Sequence, residues 1–154
     1  MAINPNTDFT TGQVLTADAA NRWPRGVMAY VQSTTGSAVT GTETVMLTLA
    51  SFTAVANRYY RVTYFEPALL TTVAGAGTTM RVRLTNLAGA LQQTADASSS
   101  GGSGAVNSQT LSFVKTFTAG SVVLVGTLSG SVGNQAFRGA SQFAYLSVED
   151  IGPA

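Results

Sequence analysis

Five acidic side chains are the places where this sequence could do chemistry. Glu43, Glu66, Asp96, Glu149 and Asp150 fall at strand ends and in loops. Two carboxylates at a suitable separation suffice for glycoside hydrolysis, one as acid and the other as base or nucleophile. Glu66 with Asp96 is one such pairing. Little else in the chain helps a catalyst. There is no histidine, which removes the commonest general base, the Ser-His-Asp arrangement and nearly every zinc site. There is no cysteine, hence no thiolate nucleophile, disulfide or cysteine-held metal. Glu149 and Asp150 adjoin in "EDIG" but lack the repeated acidic spacing of a calcium loop. The plainer reading makes all five solvated strand-end residues. The expectation is therefore no enzyme, no cofactor and no metal.

The other chemistry-bearing patterns are basic, glycine-rich or aromatic. Arg81 and Arg83 share one face of "TMRVRLT" and could join Arg58 or Arg61 in a basic stripe, for an acidic glycan or for an ion pair between subunits. A solvated outer face is the blander alternative. "AGAGTTM" and "SSSGGSGAV" lack the lysine of a phosphate-cradling loop and lead into no helix, so they read as hairpin loops. The rings of "YYRVTYF" could stack on a sugar. Yet Tyr60, Val62 and Tyr64 alternate with Arg61 and Thr63, which fits burial in a sandwich or at a subunit interface better.

The elements that position these residues are strands. "ETVMLTLASF" sets Val45, Leu47 and Leu49 on one face, and "LSFVKTF" aligns Leu111, Phe113 and Phe117. In "SQFAYLSVEDIG", Phe143 and Tyr145 oppose Leu146 and Val148. "SVVLVGTL" is apolar on both faces and should lie centrally. Turn-rich gaps separate the runs, and residues 71–79 and 96–108 read as the long loops. Period-two alternation over seven to nine such runs predicts an all-β fold, an antiparallel β-sandwich or jelly roll. Residues 1–25 stand apart. Thr16 can cap a turn or two of helix over Ala17 to Arg22, and Pro24 and Gly26 must end it. Phe9, Leu15 and Trp23 are isolated apolar residues that need burial against something. The expected organisation is an N-terminal anchoring arm, 1–25, and a jelly-roll head, 26–154.

Only 10% of the 154 residues are charged and 45% are hydrophobic, against about a quarter charged in an ordinary soluble domain. The surface must then be built from Ser, Thr, Gln, Asn and Gly, or be covered by other subunits, as in an obligate oligomer. A net charge of +1 argues against a nucleic-acid partner, which demands clustered Lys and Arg. No apolar run reaches the ~18 residues of a membrane span, and "MAINPNTDFTTG" lacks a secretory pattern. The expectation is a soluble product of the cytoplasm with neither membrane nor nucleic acid as partner.

Three segments carry a resemblance. The opening "FTTGQVLTADAANRWPRGVMAYV" resembles the "F-x-x-G-x-V-L-T-A-x-x-x-N-x-x-P-R-G-V" start of many tailed-bacteriophage virion proteins, especially from phages of actinobacteria. Phe9, Gly12, Val14, Leu15, Thr16, Ala17, Asn21, Pro24, Arg25, Gly26 and Val27 match. The close "YLSVEDIGPA" is similar to that family's "L-x-V-E-D-I-G-P", and "ANRYYRVTYF" to its "G-x-x-Y-R-V" strand. The resemblance implies a non-enzymatic structural protein of the virion: a minor tail protein, tail fibre or head fibre with a tumour-necrosis-factor-like jelly roll, forming a homotrimer. It implies docking on capsid or tail proteins through Phe9, Leu15, Trp23, Pro24 and Arg25. Arg81 and Arg83 are left as a candidate ligand or interface pair, and a host-surface glycan as a candidate receptor. No collagen-like or coiled-coil stalk is present, which favours a compact knob made in the host cytoplasm and carried on the particle.

Overall fold

Strand-forming alternation runs from residue 26 to the end of the chain, and the computed structural model turns it into an antiparallel sandwich. It describes residues 11–12, 14, 16–21, 23–39, 41–71, 76–98, 105–130 and 135–154, with 18, 19, 71, 98 and 105 described by their backbone alone. In chain order the elements are α1 (Ala17–Asn21), β1 (Gly26–Ser33), β2 (Ser37–Ala38), β3 (Thr44–Thr48), β4 (Phe52–Ala54), β5 (Arg58–Thr71), β6 (Gly77–Leu84), β7 (Leu91–Ser98), β8 (Ala105–Lys115), β9 (Gly120–Val122), β10 (Leu124–Gly130), β11 (Gln135–Ala136) and β12 (Ala144–Pro153).

Eight of these strands build two facing sheets. One has the order β1-β12-β5 with β8 on the far side of β5, and short β11 and β2 continue it past the end of β12. The other has the order β3-β10-β6-β7, and β4 and β9 form a small ribbon. Every pairing is antiparallel. Counted along the chain, the eight principal strands lie as 1-8-3-6 facing 2-7-4-5, the strand order of a jelly roll. β5 is the spine, because β8 and β12 pair along its first half and β8 and β11 along its second.

The core forms where the inward faces meet. Tyr60, Val62 and Tyr64 of β5, Met80 and Val82 of β6, Leu124 and Leu128 of β10, and Leu146 and Val148 of β12 are all buried. Phe52, Tyr60 and Phe117 close one end, with ring centroids 5.6 to 5.9 Å apart. The apolar run "SVVLVGTL" supplies β10, a central strand as expected. Its outward Val125 and Thr127 are buried as well, because side chains of the neighbouring strands fold over them.

Register assigns every strand end to one of two poles. The start of β5, the end of β12 and the end of β8 meet, since Arg58 pairs with Pro153 and Tyr60 with Lys115. The start of β1 joins them through Gly26 and Asp150. This is the arm pole. At the far pole Thr71 pairs with Ala105 and Gly77 with Ser98, so the strand ends bracketing residues 72–76 and 99–104 lie together.

The sheets correct two expectations. Val45 does not share the inward face of Leu47, because a bulge shifts the β3–β10 register between Gly126 and Thr127 and turns Met46 towards the core instead. A single extra residue reverses the parity of what precedes it. The long loops are also shorter than read: Gly77–Thr79 belong to β6, Asp96–Ser98 to β7 and Ala105–Ser108 to β8. The β6–β7 and β5–β8 ladders carry these Gly- and Ser-rich ends into the sheets.

The sheets approach closely at Gly126. A Cβ there would sit 3.0 Å from Cε1 and 3.1 Å from Cζ of the Tyr64 ring, which is fully buried and tied through its hydroxyl to Glu66, so the ring would have to shift against its neighbours. Gly126→Ala should cost about 1–3 kcal/mol, the usual penalty for overpacking, read as a lower urea midpoint at unchanged slope.

Candidate functional site

The arm reaches the sandwich through a single helical turn. The Thr16 carbonyl accepts the first helical bond from Ala20 N–H at 3.0 Å, and Trp23 N–H closes the last on the Ala20 carbonyl at 3.2 Å. Pro24 keeps Trp23 out of helical geometry, and Gly26 takes a φ of +75°, a left-handed turn that glycine adopts without strain. A helix of five residues has no stability of its own. It is held by Arg58.

The Arg58 guanidinium makes a fork with the Asp150 carboxylate, Nε to Oδ2 at 2.5 Å and Nη2 to Oδ1 at 2.7 Å. Its remaining donors reach the arm: Nη1 donates to the Asn21 carbonyl and Nη2 to the Trp23 carbonyl, both at 2.5 Å. These carbonyls lie at the helix end, where acceptors lack an intrahelical partner and a cation is favoured. Gly152 N–H completes the shell of Asp150 Oδ1 at 3.0 Å. Both charged side chains are buried, and burial of an ion pair is tolerated when each lone pair and proton finds a partner. The arm is therefore fastened to the start of β5 and the end of β12 by its backbone.

Around this clasp the surface is apolar. Trp23 is 45% exposed, and Val14, Val27, Tyr59, Leu87 and Leu91 are exposed too; all five lie on the arm or in the half of the sandwich nearest it. Pro24 and Arg25 are exposed. Phe9 and Leu15, the other two expected docking residues, lie outside the described residues.

The remaining charges are structural. Arg83 grips Glu43 with Nε and Nη2 at 2.7 and 2.9 Å, Thr127 donates to Glu43 Oε1, and Arg81 stands 3.7 Å away. The hydrogen bond from Arg83 holds the Glu43 carboxyl below the usual carboxylate range. This cluster is the lid over Val125 and Thr127. Arg81 and Arg83 form no stripe with Arg58 or Arg61: Arg58 is buried with Asp150, and Arg61 pairs with Glu149 on the outer face of the other sheet at 3.4 Å.

Glu66 is buried at the far pole, accepting from Tyr64 Oη at 2.5 Å and from Arg138 Nε and Nη2 at 3.0 and 2.5 Å. Arg138 also reaches the Thr35 carbonyl. Burial, reinforced by the Glu66 charge, pushes the Tyr64 phenol well above its ordinary value. Asp96 points outward from the other sheet beside Thr79, so Glu66 and Asp96 share no cleft. The picture of five solvated acids is corrected at Glu43, Glu66 and Asp150, each locked to arginine. Among the described residues, no three His, Cys, Asp or Glu side chains gather to hold a metal, and no helix is long and apolar enough to cross a membrane.

One sheet face is unusually bare of charge. On the outside of β1-β12-β5-β8 lie Val27, Tyr30, Phe65, Val114 and Tyr145, with Arg61–Glu149 as a self-neutralising pair. Tyr145 stacks between Tyr30 and Phe65, centroids at 6.0 and 5.3 Å.

No protein-family model matches the chain, and no curated protein sequence does. Solved structures with a similar course include the VP2 subviral particle of infectious bursal disease virus, at 14% identity over 98% of this chain and 46% of that one with a TM-score of 0.49. The T13 particle of the same virus gives 15% identity over 98% and 41% of the chains, with a TM-score of 0.44. The chain spans less than half the length of those proteins. Likeness at this level assigns neither family nor role.

Two outcomes follow from the ion pairs. Arg58→Ala should cost about 3–5 kcal/mol by stranding Asp150, and should speed amide exchange at Ala20 and Trp23 well beyond the global change. Glu43 has a depressed pKa, so its charge adds stability at neutral pH that is lost as pH falls through that value. Glu43→Gln should melt lower at pH 7, and the gap should close only as pH falls below the ordinary carboxylate range and through the depressed value of Glu43.

Proposed function

We propose that the chain is a non-enzymatic structural protein of a tailed-phage virion, a compact surface appendage docked through its arm pole. One observation carries the reading. The three segments that resemble the virion family meet at one point: the opening supplies the Asn21 and Trp23 carbonyls, "ANRYYRVTYF" supplies Arg58, and "YLSVEDIGPA" supplies Asp150. The motif is thus a fastening for the arm. The exposed Trp23, Tyr59 and Leu91 lie at the same pole and extend a docking surface that in this reading includes Phe9, Leu15, Pro24 and Arg25. The far pole faces outward. Partners are capsid proteins for a decoration or head fibre, and tail proteins for a minor tail protein; neither nucleic acid nor membrane is engaged, and no cofactor is used. The protein is made in the host cytoplasm and resides on the virion.

The head is a homotrimer in this reading. Its subunit surface is the charge-poor outer face with Val27, Tyr30 and Val114, which accounts for a chain that is only 10% charged.

A second reading, recognition of a host-surface glycan, is favoured by a depression of about 340 Å³ lined by Phe65, Pro67, Ser141, Gln142, Phe143 and Tyr145. Rings beside hydroxyl and amide groups suit the faces and edges of a sugar. Hydrolysis of that glycan has no support in the separated carboxylates.

Deleting residues 1–25 should leave a folded β-domain that no longer joins particles, and normal incorporation would refute the docking role. Light scattering on the purified protein should give three times the chain mass, which Tyr30→Asp with Val114→Asp should reduce to one. A wild-type monomer at micromolar concentration would refute the trimer.

A further inference from the structure

Charge pairing divides the two poles. Among the described side chains, Arg58, Arg61, Arg81, Arg83 and Arg138 each lie within ion-pairing distance of a carboxylate. Arg25 and Lys115 do not, and both belong to the arm pole. Among the described side chains, Asp96 is the acid left without a cation, and it sits towards the far pole beside Thr79. Among those same side chains, the arm pole carries the two cations that no described carboxylate pairs, Arg25 and Lys115, together with exposed apolar groups.

Lys115 stands in a depression of about 500 Å³. It runs between the ends of β7 and β8, the outermost strands of the two sheets. Lys115 Nζ donates to Gln92 Oε1 at 2.6 Å, a neutral partner, which leaves the ammonium charge unneutralised. One wall is Leu91, 46% exposed, and the other is the Thr116–Ala119 segment, which belongs to no ladder. The one ring in the groove, Phe117, is buried, so no aromatic face is open for a sugar to stack on. A free cation, an open strand edge and an exposed leucine instead match an extended peptide.

We propose that this groove seats an acidic peptide segment of the virion protein on which the arm docks, with a carboxylate on Lys115 and an apolar side chain on Leu91. The proposal rests on the docking reading above. It makes the attachment two-pronged: the arm and the groove engage the same neighbour from one pole. Salt should weaken it, as it weakens any partly exposed charge pair.

The test adds purified protein back to particles assembled without it. Lys115→Glu should melt like the wild type, because Lys115 is exposed and its one described side-chain hydrogen bond goes to Gln92, yet bind particles about tenfold more weakly; Lys115→Arg should bind as the wild type does. A benzophenone amino acid in place of Thr118 should crosslink on the particle to an acid-rich peptide of another virion protein, identified by mass spectrometry. If Lys115→Glu binds normally while deletion of residues 1–25 abolishes binding, the groove proposal is overturned and the docking reading stands. If both variants bind normally, both fall. A crosslink to a second copy of this chain would also overturn the groove proposal, as would Lys115-dependent binding of a glucuronate oligosaccharide.

Discussion

Arg58 and Asp150 form the constraint on which the rest of the arrangement depends. Each has little access to water, and a buried charge without partners would cost several kcal/mol. The guanidinium meets that demand by using donors in three directions: the carboxylate of β12, the end of α1 and the chain just past it. One side chain thereby decides where the last strand ends, where the arm turns and which pole carries it. A similar solution recurs further along β5, where Glu66 gathers Tyr64 and Arg138, and Arg138 in turn holds Thr35. The longest strand is pinned by one buried ion pair at its start and a second past its middle.

Most of the fold was legible in the alternation of residue types. Inward positions at Tyr60, Val62, Tyr64, Leu146 and Val148, and the central place of β10, follow from period two and from a run apolar on both faces. What alternation obscured was local. The bulge opposite Gly126 reversed the parity of Val45, and no residue type announces a bulge of that kind.

The buried ion pairs are legible by the same rule. Arg58 and Glu66 share the parity of Tyr60, Val62 and Tyr64, and Asp150 shares that of Leu146 and Val148. Charges on an inward face have to find each other or a backbone acceptor. Treating them as solvated strand ends set chemical type above position. Which arginine meets which carboxylate remained hidden, since Arg58 and Asp150 are 92 residues apart and only the pairing of β5 with β12 joins them. The same holds for Lys115: that no described carboxylate pairs with it is visible only in the folded chain.

Arg58 takes hold of the arm by two carbonyl oxygens, and that has a bearing on how such proteins can diversify. A grip on the main chain asks for a turn of the right shape and a proline and glycine to end it, and is indifferent to most of the side chains the turn displays. The side chains that the turn displays can then change without disturbing the joint. The arm and the sandwich behave as separately replaceable parts, and new side chains on the turn leave the sandwich behind it as it is.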